Sequence, residues 1–318
     1  MDLSGMTLSG GFTFVQPPPA QATAGWFNGG YSGYSAPSVR YSTVSRLTFA
    51  TDTATLSTRG PLSSSRDGTC GTGTFVYGWI SGGAITGAGV TTIDRITYAS
   101  DTATASIRGP LGTVAYTATA TSDGSTYGWI SGGLPYTSIV QRIIFASDTA
   151  TTTNRGPLNS ATYGSGGTGT SSYGWIMGGA DPSAPISNVR RITYANDTAV
   201  ASVRGSLAAE INNSVGAVTD RTTYGWMSTG IPISFTAIQR ITYANDTTTA
   251  SVRGPLTGSR YRGAAVCDNT YGWFAGASSP AGNTNIARMT YATDTATTVN
   301  RSVMNTYRIL LSGTSGVQ

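Results

Sequence analysis

Apolar and polar residues alternate along this chain in short runs, without the three- and four-residue steps of an amphipathic helix, so the pattern predicts strands and turns throughout. One run recurs as Tyr-Gly-Trp-Ile-Ser-Gly-Gly, an apolar strand closed by a diglycine turn. A second reads Arg-Ile-Thr-Tyr-Ala, β-branched and aromatic as strands prefer. Asn-Asp, Ser-Asp or Thr-Asp follows it at a predicted tight turn, where the Asp carboxylate is expected to accept nearby backbone N–H groups in an Asx-turn. Thr-Ala-Thr-Ala-Ser-Val-Arg then alternates with period two and predicts a partner strand, which Gly-Pro ends. A further short segment, such as residues 263–267, precedes the next Tyr-Gly-Trp. Each unit of about 50 residues therefore holds four predicted strands.

The unit occurs six times. Trp26, Trp79, Trp129, Trp175, Trp226 and Trp273 are 53, 50, 46, 51 and 47 residues apart, and each follows a glycine. After each tryptophan comes an arginine: Arg46, Arg95, Arg142, Arg191, Arg240 and Arg288. Six residues later stands an aspartate: Asp52, Asp101, Asp148, Asp197, Asp246 and Asp294. Thirteen residues after the first arginine comes a second: Arg59, Arg108, Arg155, Arg204, Arg253 and Arg301. This spacing does not vary. Twelve arginines and six aspartates locked to one period argue for a structural ring of Arg–Asp or Arg–carbonyl contacts between repeats, over an anion-binding ring lining a channel. One tryptophan per repeat at a constant position reads as core.

Four strands per repeat of this length is the blade of a β-propeller, so the expected fold is all-β: a six-bladed propeller of four antiparallel strands per blade over residues 21–318. The order of elements, with Gly178-Gly179, Ile192-Thr193-Tyr194-Ala195 and Asp197 as one example, resembles kelch repeats, although here the tryptophan lies in the diglycine strand. The last copy runs on into Tyr307-Arg308-Ile309-Leu310-Leu311. That segment is expected to act as the innermost strand of the first blade and so to close the ring, removing open edges. Residues 1–20, with Pro17-Pro18-Pro19, are expected to form a Pro-rich, extended arm.

Composition narrows the function. All 19 basic residues are arginine, there is no histidine, and Glu210 is the lone glutamate. Imidazole metal sites, Ser-His-Asp and Cys-His catalysis, lysine Schiff bases, Walker-type loops and glutamate pairs are thereby excluded. A propeller resembling galactose oxidase would need histidine copper ligands. One resembling six-bladed sialidases would need correctly spaced Asp boxes, and in Ser122-Asp123-Gly124-Ser125 the Asp and Gly are adjacent. No catalytic residue, metal or cofactor is expected, and the chain is read as a non-enzyme. Only 10% of residues are charged. The net charge of +5 is spread along the repeats, so neither nucleic-acid binding nor membrane insertion is expected. Cys70 and Cys267 read as small buried residues. The start of the chain lacks the basic and apolar regions of a signal peptide.

The loop after the diglycine escapes the regularity. From tryptophan to the following arginine the spacing is 20, 16, 13, 16, 14 and 15 residues. These loops should gather at one face, and Tyr31, Tyr34, Tyr41, Tyr136 and Phe235 are the candidate binding residues, because tyrosine offers apolar area together with a hydroxyl. The near-identical copies of Tyr-Ala-Asn/Ser-Asp-Thr-Ala-Thr-Ala-Ser-Val-Arg-Gly-Pro-Leu are similar to repeats in structural proteins of marine tailed phages, especially cyanophages. The resemblance implies a virion protein assembled in the host cytoplasm, as a tail fibre, receptor-binding or capsid-decoration component. Its partners would be other virion proteins, a host-surface glycan or receptor, or further copies of itself. A cellular kelch-type interaction scaffold is the alternative reading, and a carbohydrate hydrolase a weaker one.

Overall fold

The computed structural model describes residues 22–33, 38–213, 216–228, 230, 236–276 and 283–316. The expected N-terminal arm, Tyr34 and Phe235 lie outside the described residues. The chain forms a six-bladed β-propeller, each blade a four-stranded antiparallel sheet. In the third blade the strands run outward from the axis as Thr119–Ser122, Tyr127–Ser131, Val140–Ile144 and Thr153–Asn154. The innermost strands of the second, fourth, fifth and sixth blades are Cys70–Gly73, Gly166–Gly169, Ala217–Thr219 and Ala264–Cys267. Register is the same throughout. Each tryptophan lies directly across from the first arginine of its own repeat, as Trp79 does from Arg95 and Trp273 from Arg288.

The first blade is built from both ends of the chain. Ser312–Ser315 is its innermost strand and pairs with Ala24–Asn28, joining Trp26 to Thr314. The ring is thus closed by the C-terminal strand, but that strand begins one residue after the segment expected to form it. Residues 307–311 instead lead into it. They bridge to the first diglycine loop through Tyr31 and Ile309 and bury Arg308, whose side chain needs the carbonyls that a central strand position would not offer.

Two further expectations are corrected. Tyr-Ala is not the end of the third strand but the start of a 3-10 turn, as in Tyr194–Asn196. The following strand is short in most blades, Ser251–Arg253 in the fifth and only Ser106–Ile107 in the second, whereas in the fourth it runs Ser202–Ile211. The Thr-Ala-Thr residues before it use their backbone on the neighbouring blade. Ala105 N–H, for example, donates to the Pro61 carbonyl and Ala201 N–H to that of Pro157. The hydrophobic core is correspondingly a set of layers between blades. One layer combines Cys70, Trp79, Ile93 and Leu111 of the second blade with Ile130, Ile143 and Phe145 of the third.

Candidate functional site

The repeat-locked residues converge at the blade junctions. Trp129 Nε1 donates to Asp197 Oδ2 of the next blade at 2.8 Å. The same carboxylate accepts from Arg142 at 3.0 Å and from Arg155 Nε at 2.8 Å. The aspartate of each 3-10 turn is thus clamped by one indole and two guanidiniums of the preceding blade, not folded back into the expected Asx-turn. A lone carboxylate facing three donors from another sheet gains more there than from its own backbone. The same constellation joins the last blade to the first, where Trp273, Arg288 and Arg301 hold Asp52. Each indole also stacks on the aromatic residue three before that aspartate, at 3.8 Å for Trp129 on Tyr194 and 4.2 Å for Trp273 on Phe49.

Four other arginines, Arg66, Arg190, Arg260 and Arg308, are fully buried. Arg308 donates to the carbonyls of Gly29 and Thr43 and to Ser45 Oγ, and so fills the space beneath the first diglycine loop. Arg66 does the same in the second blade, against the carbonyls of Gly82 and Thr92 and the carboxylate of Asp94. Burial pulls the guanidiniums of Arg190, Arg260 and Arg308 down to about 10, so they remain charged at neutral pH. Most of the chain's positive charge is therefore committed inside the ring or at its junctions.

The diglycine loops and the connectors entering the innermost strands share one face. There the six connectors form two concentric rings around the axis. Gly68, Thr117, Gly164, Asn213, Arg262 and Leu310 occupy equivalent positions, and all have φ between 53° and 67°. Four of them are not glycine, at a cost of roughly 1–2 kcal/mol each. The conformation is held by backbone hydrogen bonds running from blade to blade. Thr117 N–H donates to the Gly68 carbonyl at 2.8 Å, Gly68 N–H to Leu310 at 2.7 Å, and Arg262 N–H to Asn213 at 3.1 Å. Beneath this ring a cavity of about 130 Å³ is lined by Thr69, Ser165, Ser312 and small residues of all six innermost strands. At Gly71 and Gly313 an added Cβ would strike the neighbouring strand's backbone, which is why the axis is walled by glycine and alanine.

One residue earlier in each connector stands the outer ring: Asp67, Tyr116, Tyr163, Asn212, Tyr261 and Ile309. Its members are linked side to side. Tyr116 O–H donates to Asp67 Oδ2 at 3.3 Å, and Asn212 Nδ2 donates to Tyr163 Oη at 3.2 Å. Arg40 donates to Asp67 Oδ1 at 2.6 Å and lies over the Tyr31 ring at 5.4 Å. Tyr136, 43% exposed, meets Tyr163 edge to face at 5.3 Å. Of the residues expected to bind, the structure thus brings Tyr31 and Tyr136 to this crown. Tyr41 is half-buried behind the first diglycine loop, its carbonyl accepting the Arg66 N–H. Sequence reasoning missed Asp67, Tyr116, Tyr163, Asn212 and Tyr261. The available signal was positional: each is the fifth residue after the buried leucine that follows the second arginine of a repeat, such as Leu111 or Leu158.

Glu210 is exposed on the outer strand of the fourth blade. Among the described residues, no group of three His, Cys, Asp or Glu side chains is placed to hold a metal ion, and no helix is long and apolar enough to cross a membrane. Comparison with known proteins finds no matching family model and no matching curated protein.

Proposed function

We propose that this chain is a non-enzymatic structural and adhesive component of a virus particle, a rigid ring that presents the tyrosine crown to a glycan or protein surface. The crown itself carries the reading. Tyr31, Tyr116, Tyr136, Tyr163 and Tyr261 gather on one face, with Arg40, Asp67 and Asn212 among them. Aromatic faces suit the apolar side of a sugar ring or a partner's side chain, while the hydroxyl, amide and carboxylate groups supply directional hydrogen bonds. A scaffold whose blades are clamped to one another presents such groups with little ordering cost on binding. The likeness of the repeat to kelch units and to repeats of marine tailed-phage structural proteins supports placing this function on a particle.

The test combines a glycan array with mass spectrometry of purified particles. The expected result is this chain at tens of copies per particle. Glycan binding should weaken at least tenfold when Tyr136 and Tyr163 are both replaced by alanine, with the melting temperature retained. Absence from particles would refute the structural role. Binding that ignores both substitutions would refute the crown.

A further inference from the structure

Arg260 is a buried cation with fewer partners than its counterparts. It stands in the connector into the sixth blade, one residue before the outer-ring position of Tyr261, as Arg66 stands before Asp67 and Arg308 before Ile309. All three guanidiniums are fully buried, each against the third strand of the blade it leads into. Arg66 has three acceptors, the carbonyls of Gly82 and Thr92 and the carboxylate of Asp94. Arg308 also has three, the carbonyls of Gly29 and Thr43 and the Ser45 hydroxyl. Arg260 has one, the Asn285 carbonyl, at 2.6 Å. Nε is unpaired in all three side chains, but only in Arg260 is Nη2 unpaired as well. The cause is a single position. In the first two blades the acceptor of Nη2 is the residue before the repeat's first arginine, Ser45 or Asp94, and in the sixth blade that position holds Ala287. The register is the same in all three, with Ser45 opposite Phe27, Asp94 opposite Ile80 and Ala287 opposite Phe274.

Charge sharpens the contrast. The fourth fully buried arginine, Arg190, also has a single acceptor, the Gly178 carbonyl, but the charge of Asp181 acts on it. Among the described residues no carboxylate pairs with Arg260, and residues 277–282 of its own blade include no acid. Burial pulls Arg260 down only to about 10, so it stays charged at neutral pH. A guanidinium held in the interior by one hydrogen bond is strongly unfavourable unless further acceptors or a counter-charge are supplied, and an anion supplies both. We infer that Arg260 holds a small monovalent anion of the chloride class on Nη2, in the place that the Asp94 carboxylate takes beside Arg66. The ligand class follows from that comparison. Alanine in place of aspartate frees the room of one carboxylate group, which suits a halide and excludes a sugar acid. One guanidinium calls for one negative charge. The ion ties the connector to the sixth blade and belongs to the interior of the ring, so this site is independent of the crown.

The test follows thermal unfolding of the full-length protein as chloride replaces gluconate at constant ionic strength, which keeps the screening of the junction clamps fixed. The melting temperature should rise with chloride and then level off, by about 3 °C or more over a hundredfold range above the dissociation constant. Ala287→Asp builds the carboxylate of the second blade into the sixth and should abolish this dependence. Arg260→Met keeps the apolar stem without the charge and should abolish it too, and it carries the test should Ala287→Asp fail to fold. Crystals soaked in bromide give a direct readout: an anomalous peak within hydrogen-bond distance of Arg260 Nη2, lost in either variant, supports the site. A parent melting temperature indifferent to chloride, a dependence that persists in both variants, or bromide peaks only elsewhere, which mark an adventitious ion only, overturns the inference.

Discussion

Replacing Asp197 with alanine probes the junction clamp most directly. It removes the acceptor of three donors from the preceding blade: the Trp129 indole at 2.8 Å, Arg142 at 3.0 Å and Arg155 at 2.8 Å. The indole N–H is buried and has no route to water, so leaving it unpaired costs roughly 1–3 kcal/mol. The two arginine side chains are 17% and 23% exposed, and solvent recovers part of their loss; each adds roughly 0.5–1 kcal/mol. The expected destabilisation is about 2–5 kcal/mol, overlapping the range for breaking one partner of a buried pair. Asn at this position keeps the shape and one acceptor for Trp129, and should cost about half as much. Urea unfolding with a common m-value measures both. Glu210→Gln, on an exposed side chain, is the control and should stay within about 0.5 kcal/mol of the parent. A double-mutant cycle with Trp129→Phe should show coupling of about 1 kcal/mol or more. Additivity in that cycle, or an Asp197→Ala effect no larger than the control, would refute the clamp. The pH dependence must agree. Burial opposes ionisation of Asp197, but hydrogen bonds from Arg155 and Trp129 and the charges of Arg142 and Arg155 outweigh it, holding the carboxyl below its ordinary value of 3.8. A depressed folded value means that this stabilisation is complete above the ordinary value and is lost as pH falls through the lower one, so acid destabilisation should set in below about pH 4.

Two further outcomes are expected. Gly156 donates its N–H to the Asp197 carbonyl, and an added Cβ would collide with the Ala199 carbonyl; Gly156→Ala should therefore lower stability by about 1–3 kcal/mol, and an unchanged melting temperature would show that the junction relaxes freely. Burial raises the thiols of Cys70 and Cys267 to about 12 and about 11, so neither should react with iodoacetamide at pH 8 in the folded protein while both react in urea; rapid labelling of the folded chain would contradict their burial.

Much of the architecture was legible in the chain because it is written six times. A strand signal too weak to trust once becomes firm when Trp, Arg, Asp and Arg recur in constant register, and the count of tryptophans is the count of blades. What repetition could not convey is direction. Asp52 completes the clamp of Trp273, 221 residues away. Nothing local distinguishes a carboxylate turned onto its own backbone from one held by the preceding blade, and only the closed ring brings the three donors to Asp52 within 3.1 Å. The crown was less legible still. Its positions hold Asp, Tyr, Tyr, Asn, Tyr and Ile, so no residue type marks them, and the left-handed ring inside it includes Arg262 and Leu310, residues that do not advertise a positive φ. The sequence alone determined the blade, since strand, turn and spacing are local properties. The tertiary structure decided which side chains meet across the junctions and around the axis, because those contacts exist only once six blades surround a common centre.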